Sequence, residues 1–338
     1  MSEISKQTFM MPPLIYTEDN KPRHTGFEIE FSGLKPKETA ALIVQTFGGY
    51  MHTVSDYIIE VRDTPYGTFS VYLDYTYLRT MEFKKSLLKL GFDEDEKELS
   101  EFVEDFLVSI SETVVPYEIT TPPIPFNDIQ KIEVLKEAMR KKGALGTKAS
   151  LFYAFGMHIN IQTPSFKAGI ILDILRAFII LYEWIKEKSE VDLTRKLTFY
   201  IAPFKRDYML LILDKDYNPG ISRLIDDYIF YNPTRKRALD LLPLFAYLDR
   251  DRVFSIDELK NQKILPRPAF HYRLPNSRID EKEWSIAKEW NYWVEVEKLA
   301  FNKEKLAFMS AEYRSFLDSP LYLLTPLWVK KVDEWLVA

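Results

Sequence analysis

Apolar and polar side chains alternate with a period of two through "RHTGFEIEFSGL", Arg23 to Leu34. A strand over this stretch turns Phe27, Ile29 and Phe31 to one face and Glu28 and Glu30 to the other. The second face is either solvated or it holds a cation, and the pattern alone leaves both readings open. Spacing then changes to that of a short helix in "KPKETAALIVQTFGG", followed by β-rich sequence. There "YIIEVRD" and "TFSVYLDYTYL" flank the turn "TPYG", which predicts a hairpin with Pro65 and Gly67 at the reversal.

Helical spacing with an acidic opposite face marks "DEDEKELSEFVEDFLVSI" and predicts a helical acidic insertion over residues 81–111. A strand in "TVVPYEITTPPIP", ended by its prolines, precedes the helix "FNDIQKIEVLKEAMRKKG". "FGMHINIQTP" and "AFHYRLPNS" alternate as two further strands, and the segment 280–338, rich in Trp, Glu and Lys, reads as helical. Trp284, Trp290 and Trp293 form a packing face there. Strands occur along the whole chain with no repeat and no low-complexity linker, which predicts a single α+β domain over residues 1–338.

Composition narrows the function classes. Across 338 residues, 45 basic and 50 acidic side chains leave a formal charge of -5, so no overall field draws nucleic acid or anionic lipid. Twenty Tyr and 23 Phe suit sheets and half-buried surfaces. The absence of Cys removes disulfides, thiolate metal sites and a cysteine nucleophile. "MSEISKQTFMMPP" lacks the charged head and apolar run of a signal peptide, so the expected location is the cytoplasm. The most apolar stretch, Ala168 to Ile185, carries Asp173, Arg176 and Glu183. Each would cost about 2.5 kcal/mol or more in hydrocarbon, so a buried helix is expected and no membrane span.

Four predicted strands carry side chains able to bind cations or phosphate: Glu28 with Glu30, Glu118 in "YEITTPP", His158 with Asn160 in "GMHINIQ", and His271 with Arg273 in "FHYRLPNS". Neighbouring placement in one sheet would gather carboxylates, imidazoles and a guanidinium on one face. Hard divalent cations take carboxylate oxygens, imidazole is an additional ligand, and the planar guanidinium fork suits phosphate. Each residue also has a plain structural reading. Glu118 suits the charged end of an edge strand, His158 and Asn160 suit hydrogen-bonded core positions, and Arg273 suits stacking on an aromatic ring. Asp74 in "YLDYTY" suits a turn, and Arg235 in "PTRKR" suits a solvated basic helix start. "GALGTKAS" lacks the spacing of a phosphate-binding Walker loop, and neither a His-Glu-any-any-His zinc motif nor a hydrolase elbow serine occurs.

In their order, "TGFEIEF", "YEITTPP", "FGMHINI", "NPTRKRALDLL" and "HYRLPNS" resemble the bacterial amidoligase family, in islands from about Arg23 to Arg278. The family is related in fold to glutamine synthetase and glutamate–cysteine ligase. The resemblance implies a mostly antiparallel sheet curved into a funnel-like active-site surface, packed with helices. It implies an ATP-dependent carboxylate–amine ligase that works through an acyl phosphate, with an amino acid or peptide carboxylate and an amine as substrates. By it, Glu28, Glu30, Glu118, His158 and His271 fall at Mg²⁺ or Mn²⁺ ligands. His158, Asn160, Asn232 and Arg273 fall on the nucleotide side, and Asp74, Arg235 and Arg273 fall among the catalytic groups. Where the family's last strand usually reads Glu, one residue, Arg, this chain has His271, Tyr272, Arg273. An imidazole there removes one negative charge and weakens the case for Mg²⁺. A catalytically degenerate member that binds a ligand or partner is the alternative.

Overall fold

The computed structural model describes residues 8–55, 57–73, 116–147, 155–191 and 201–337. Asp74 and the acidic segment 81–111 lie outside the described residues, as do the first half of "LTFYIAPF" and the last residues of "GALGTKAS".

Among the described residues nine strands form one open sheet: β1 (His24–Phe31), β2 (Tyr50–Ser55), β3 (Ile58–Thr64), β4 (Gly67–Leu73), β5 (Tyr117–Thr120), β6 (Ile124–Pro125), β7 (Met157–Gln162), β8 (Leu239–Asp240) and β9 (Ala269–Tyr272). Their spatial order is β2-β3-β4-β5-β1-β7-β9-β8, with β6 continuing the β5 side along β1. Every pairing is antiparallel. The predicted hairpin is β3 and β4, and Gly67 supplies its reversal with a φ of 117°. β2 has no predicted counterpart of its own. It is an edge strand exposed on both faces, so no alternation marks "YMHTVS".

Period-two patterning divides the sheet into an apolar and a polar face. Phe27, Ile29, Phe31, Ile119, Met157, Ile159, Phe270 and Tyr272 are buried on the first. Helices cover it, among them Pro36–Phe47, Gln130–Lys141, the largely buried Ala168–Lys188 and Ile286–Phe301. Trp293 of the last packs against Phe270 and Tyr272, and Trp290 lies edge-on to Phe126, as the predicted Trp face requires. Two more helices, Lys303–Asp318 and Thr325–Val337, complete the helical C-terminal part. No described helix is long and apolar enough to cross a membrane.

Two buried ionic contacts tie distant parts of the chain to this core. Arg23, just before β1, makes a two-pronged pair with Glu297, at 2.8 Å from Nη1 and 2.7 Å from Nη2, and neither side chain is exposed. Its remaining donors reach the carbonyl oxygens of Gln162 and Leu14, so the buried charge is enclosed by acceptors. Glu133, paired with Lys136 at 3.0 Å, accepts from the Ile286 amide at 2.9 Å, where a helix N-terminus favours negative charge.

Glu289 is buried, and Ser189 Oγ donates to its carboxylate at 2.7 Å. Burial pushes its carboxyl up to about 7, only partly offset by that hydroxyl. A carboxyl raised in the folded state holds its proton more tightly there than in the unfolded chain, so its stabilising share is complete below the unfolded value and fades as pH rises through about 7. Glu289→Gln removes that dependence. In urea unfolding the variant should match the parent near pH 4.5 and exceed it by on the order of 2 kcal/mol at pH 8.

Candidate functional site

The polar face is built by the register of β1, β5, β7 and β9. Glu30 stands opposite Glu118, and Glu28 stands between Thr120 on β5 and His158 on β7. One step along, Asn160 lies between Gly26 and His271, and His271 lies opposite Asp240 of β8. Because antiparallel partners share a face, strands read as separate motifs bring their polar side chains to one surface.

Three of the predicted ligands converge. Glu28, His158 and His271 each offer a ligand atom within 4.8 Å of the others, and they are the group of three or more such side chains found among the described residues. The two imidazoles meet edge to face with ring centres 5.1 Å apart. His158 Nδ1 lies 3.0 Å from Glu28 Oε2, and the Asn160 amide donates to Glu28 Oε1 at 2.9 Å. Asn160 Oδ1 lies 2.6 Å from His271 Nδ1.

Charge sets the protonation of these groups. Burial alone would raise the Glu28 carboxyl, but the neighbouring rings of His271 and His158 and the guanidinium of Arg267 hold it well below the usual carboxylate range. Burial pushes His271 well below the usual imidazole value, Glu28 opposes this, and Arg267, His158 and Arg273 reinforce it. At neutral pH the centre is therefore a carboxylate beside a neutral His271. With its Nδ1 donating to Asn160, His271 keeps the lone pair of Nε2, and a carboxylate on Nδ1 of His158 does the same for that ring. One carboxylate and two imidazoles suit a single divalent ion with ligands at roughly 2.0–2.2 Å. Two nitrogens in the set favour Mn²⁺ or a softer ion over Mg²⁺.

Glu30 and Glu118 share the face but belong to a neighbouring hydrogen-bonded patch. Glu30 Oε2 accepts from the Gly156 amide at 2.7 Å. Glu118 Oε1 accepts from the Tyr72 hydroxyl at 2.5 Å and from Thr120 at 3.0 Å. Tyr72 is thereby held protonated, by burial first and then by the Glu118 charge.

Arg235 and Arg273 gather around Asp240. Arg235 Nε donates to Asp240 Oδ2 at 3.3 Å, and Arg273 Nη1 donates to the Arg235 carbonyl at 2.9 Å. Burial raises the Asp240 carboxyl, and Arg235 and Arg273 oppose it. This basic pair adjoins the centre through the pairing of Asp240 with His271. The alternative reading of "PTRKR" as a solvated helix start does not hold; residues 232–238 are irregular and lead into β8. Asn232 is fully buried at the end of the helix Ile221–Tyr231 and donates to the Tyr228 carbonyl from its backbone at 2.8 Å and its side chain at 3.2 Å. Its contacts are those of a helix cap.

Sequence reasoning missed Arg267. From the loop before β9 it places Nη1 3.1 Å from Glu28 Oε1 and Nη2 3.0 Å from His271 Nδ1. Its only signal is position, four residues before His271 between Pro266 and Pro268.

Asn160 is the amide that fixes both ends of this arrangement. Asn160→Ala should cost about 2 kcal/mol in chemical denaturation, because it strands a buried imidazole N–H and weakens the seat of a buried carboxylate. Asn160→Asp should cost at least as much at neutral pH by setting a second negative charge against Glu28.

No curated protein and no solved structure matches the chain. A family model described as "putative amidoligase enzyme" matches residues 21–295, a span that contains every strand of the sheet and all of Glu28, Glu30, Glu118, His158, Arg267, His271 and Arg273. Membership points to ligase activity in general. The chain therefore belongs to this amidoligase family.

Proposed function

We propose that the protein is an ATP-dependent carboxylate–amine ligase that acts on an amino acid or peptide carboxylate. The convergence of Glu28, His158 and His271 on one sheet face, beside the guanidinium groups of Arg235, Arg267 and Arg273, is the observation that carries this reading. Joining a carboxylate to an amine with ATP brings two anions together, and their repulsion must be neutralised at fixed positions. In this reading the polar face forms the floor of a concave surface of glutamine synthetase type, carried by a single α+β domain.

In this reading Glu28, His158 and His271 hold a divalent cation, which screens the phosphoryl oxygens when bound. Glu30 and Glu118 supply the adjoining negative surface for a second ion or for the incoming ammonium. A carboxylate oxygen of the substrate attacks the γ-phosphorus, the bond from phosphorus to the bridging oxygen breaks, and ADP leaves. The incoming ammonium gives one proton to Glu30 or Glu118, the freed amine nitrogen attacks the acyl carbon, the carbon–oxygen bond to phosphate breaks, and inorganic phosphate departs with the electron pair and takes up the second proton from nitrogen. Arg273 and Arg235 bind oxygens of the transferring phosphoryl group or of the carboxylate, where donors fixed in advance contribute most. Asn160 orients Glu28 and His271, and Asp74 is assigned to the amine or metal side. Cytoplasmic placement accords with the supply of ATP and with the absence of Cys.

ADP release with pooled amino acids and amines, in Mg²⁺ or Mn²⁺, tests the reading. ADP should form only when both an acid and an amine are present, and more readily with Mn²⁺. Glu28→Gln should lower the rate by at least about a hundredfold, as loss of a charge-stabilising group does. Release of ADP into water regardless of amine would point to a hydrolase. Nucleotide binding without turnover for any pair would point to the ligand-binding alternative.

A further inference from the structure

The contacts of Arg267 do not form a settled hydrogen-bond network. An ionised Glu28 only accepts, so the Asn160 side chain must turn its NH₂ to Glu28 and its Oδ1 to His271. His271 Nδ1, 2.6 Å from that oxygen, must then carry the proton. Arg267 Nη2 lies 3.0 Å from the same nitrogen, so two donors face each other. Arg267 Nε is buried and has no hydrogen-bond partner among the described residues. What remains is one hydrogen bond, 3.1 Å from Nη1 to Glu28 Oε1, an oxygen that also accepts from Asn160. A guanidinium usually binds a carboxylate with both prongs, as Arg23 binds Glu297 here. Arg267 is instead held chiefly by charge, with most of its fork unused.

Its surroundings allow movement. The backbone is anchored, since Arg267 N donates to the Pro243 carbonyl at 3.0 Å and Ala269 N donates to the Arg267 carbonyl at 2.8 Å. The side chain is 26% exposed, which leaves a route to solvent. Glu28 is also the single carboxylate of the three-residue centre, so a divalent cation there and Arg267 would compete for one negative charge.

We propose that Arg267 is a displaceable counter-cation: it neutralises Glu28 until a divalent ion binds at Glu28, His158 and His271, and it then turns its fork onto an oxyanion that enters with the ion. The oxyanion is a phosphoryl or a carboxylate oxygen. The proposal deepens the ligase reading and rests on its metal-binding part. It makes Arg267 a residue that couples metal affinity to anion affinity.

Calorimetric titration with Mn²⁺ alone, in low-salt buffer without phosphate or carboxylate, provides the first test. Arg267→Gln should bind Mn²⁺ about tenfold or more tightly than the parent, since a competing charge is gone. Arg267→Lys retains the charge without the fork and should stay near the parent value, and thermal melts of both variants should show that they are folded. At saturating Mn²⁺, inorganic triphosphate and glutarate are then titrated separately. Whichever of them loses about tenfold in affinity in both variants identifies the oxyanion.

Equal or weaker Mn²⁺ binding in a folded Arg267→Gln protein overturns the proposal and makes Arg267 a brace for Glu28. Unchanged affinity for both anions overturns its second half. If Glu28→Gln leaves Mn²⁺ affinity intact in either background, the ion binds elsewhere and the proposal falls with the metal reading. Failure of the ligase reading has a different signature, in which the Mn²⁺ and anion couplings appear as stated but no acid and amine pair releases ADP.

Discussion

Everything on the polar face depends on the antiparallel register of β1 between β5 and β7. A slip of one residue would send Glu28 and Glu30 into the apolar core and expose Phe27, Ile29 and Phe31. A slip of two would keep the faces but part Glu28 from His158. The apolar layer forbids the first error, because those three side chains are almost fully buried. The Arg23–Glu297 pair opposes the second by fixing the entry to β1 against the helix Ile286–Phe301 and, through Gln162, against β7. Removing one member of such a buried pair leaves a charge stranded, which typically costs about 3–5 kcal/mol.

Alternation made most of this legible in the sequence. Strands β1, β3, β4, β7 and β9 each carry it, and the helices Pro36–Phe47 and Gln130–Lys141 fall where helical spacing placed them. Glu28, His158 and His271 stood out because an acid or an imidazole within an apolar strand invites a reason. Their neighbours in space were not legible: nothing in "FEIEF" says that it lies beside "GMHINIQ" rather than at an edge. Asp240 was hidden in the apolar run "RALDLL", and its burial between two arginines emerges only from the β8–β9 pairing. Arg267 left no periodic signal, since it sits in a loop whose conformation two prolines shape. Asp74 and the acidic segment 81–111 lie outside the described residues.

Viewed as charge, the face holds Glu28, Glu30 and Glu118 against Arg235, Arg267 and Arg273, with two imidazoles between them. The groups are not treated alike. Arg273 is half-buried and donates to the Arg235 carbonyl, and Arg235 is tied to Asp240 and to the Lys263 carbonyl. Arg267 reaches across from a loop with a single sound hydrogen bond. Arg235, on the Asp240 side of the face, is thus held by two side-chain hydrogen bonds and Arg267, in the loop before β9, by one. A surface graded in this way can receive an anion on fixed donors and still adjust at one margin.

The partners that define the face lie far apart along the chain: 130 residues separate Glu28 from His158, 239 separate it from Arg267, and 274 separate Arg23 from Glu297. Contacts of such span form late, because a long loop must close before they return any free energy. During translation, a nascent chain will have exposed β1 with its paired acids well before ribosomes have made β9 or the helix that receives Arg23. The N-terminal half can pair β1 with β5 and β7, but Glu28 then lacks His271 and Arg267, and Arg23 lacks Glu297, so a chain that ends early would strand these two charges first.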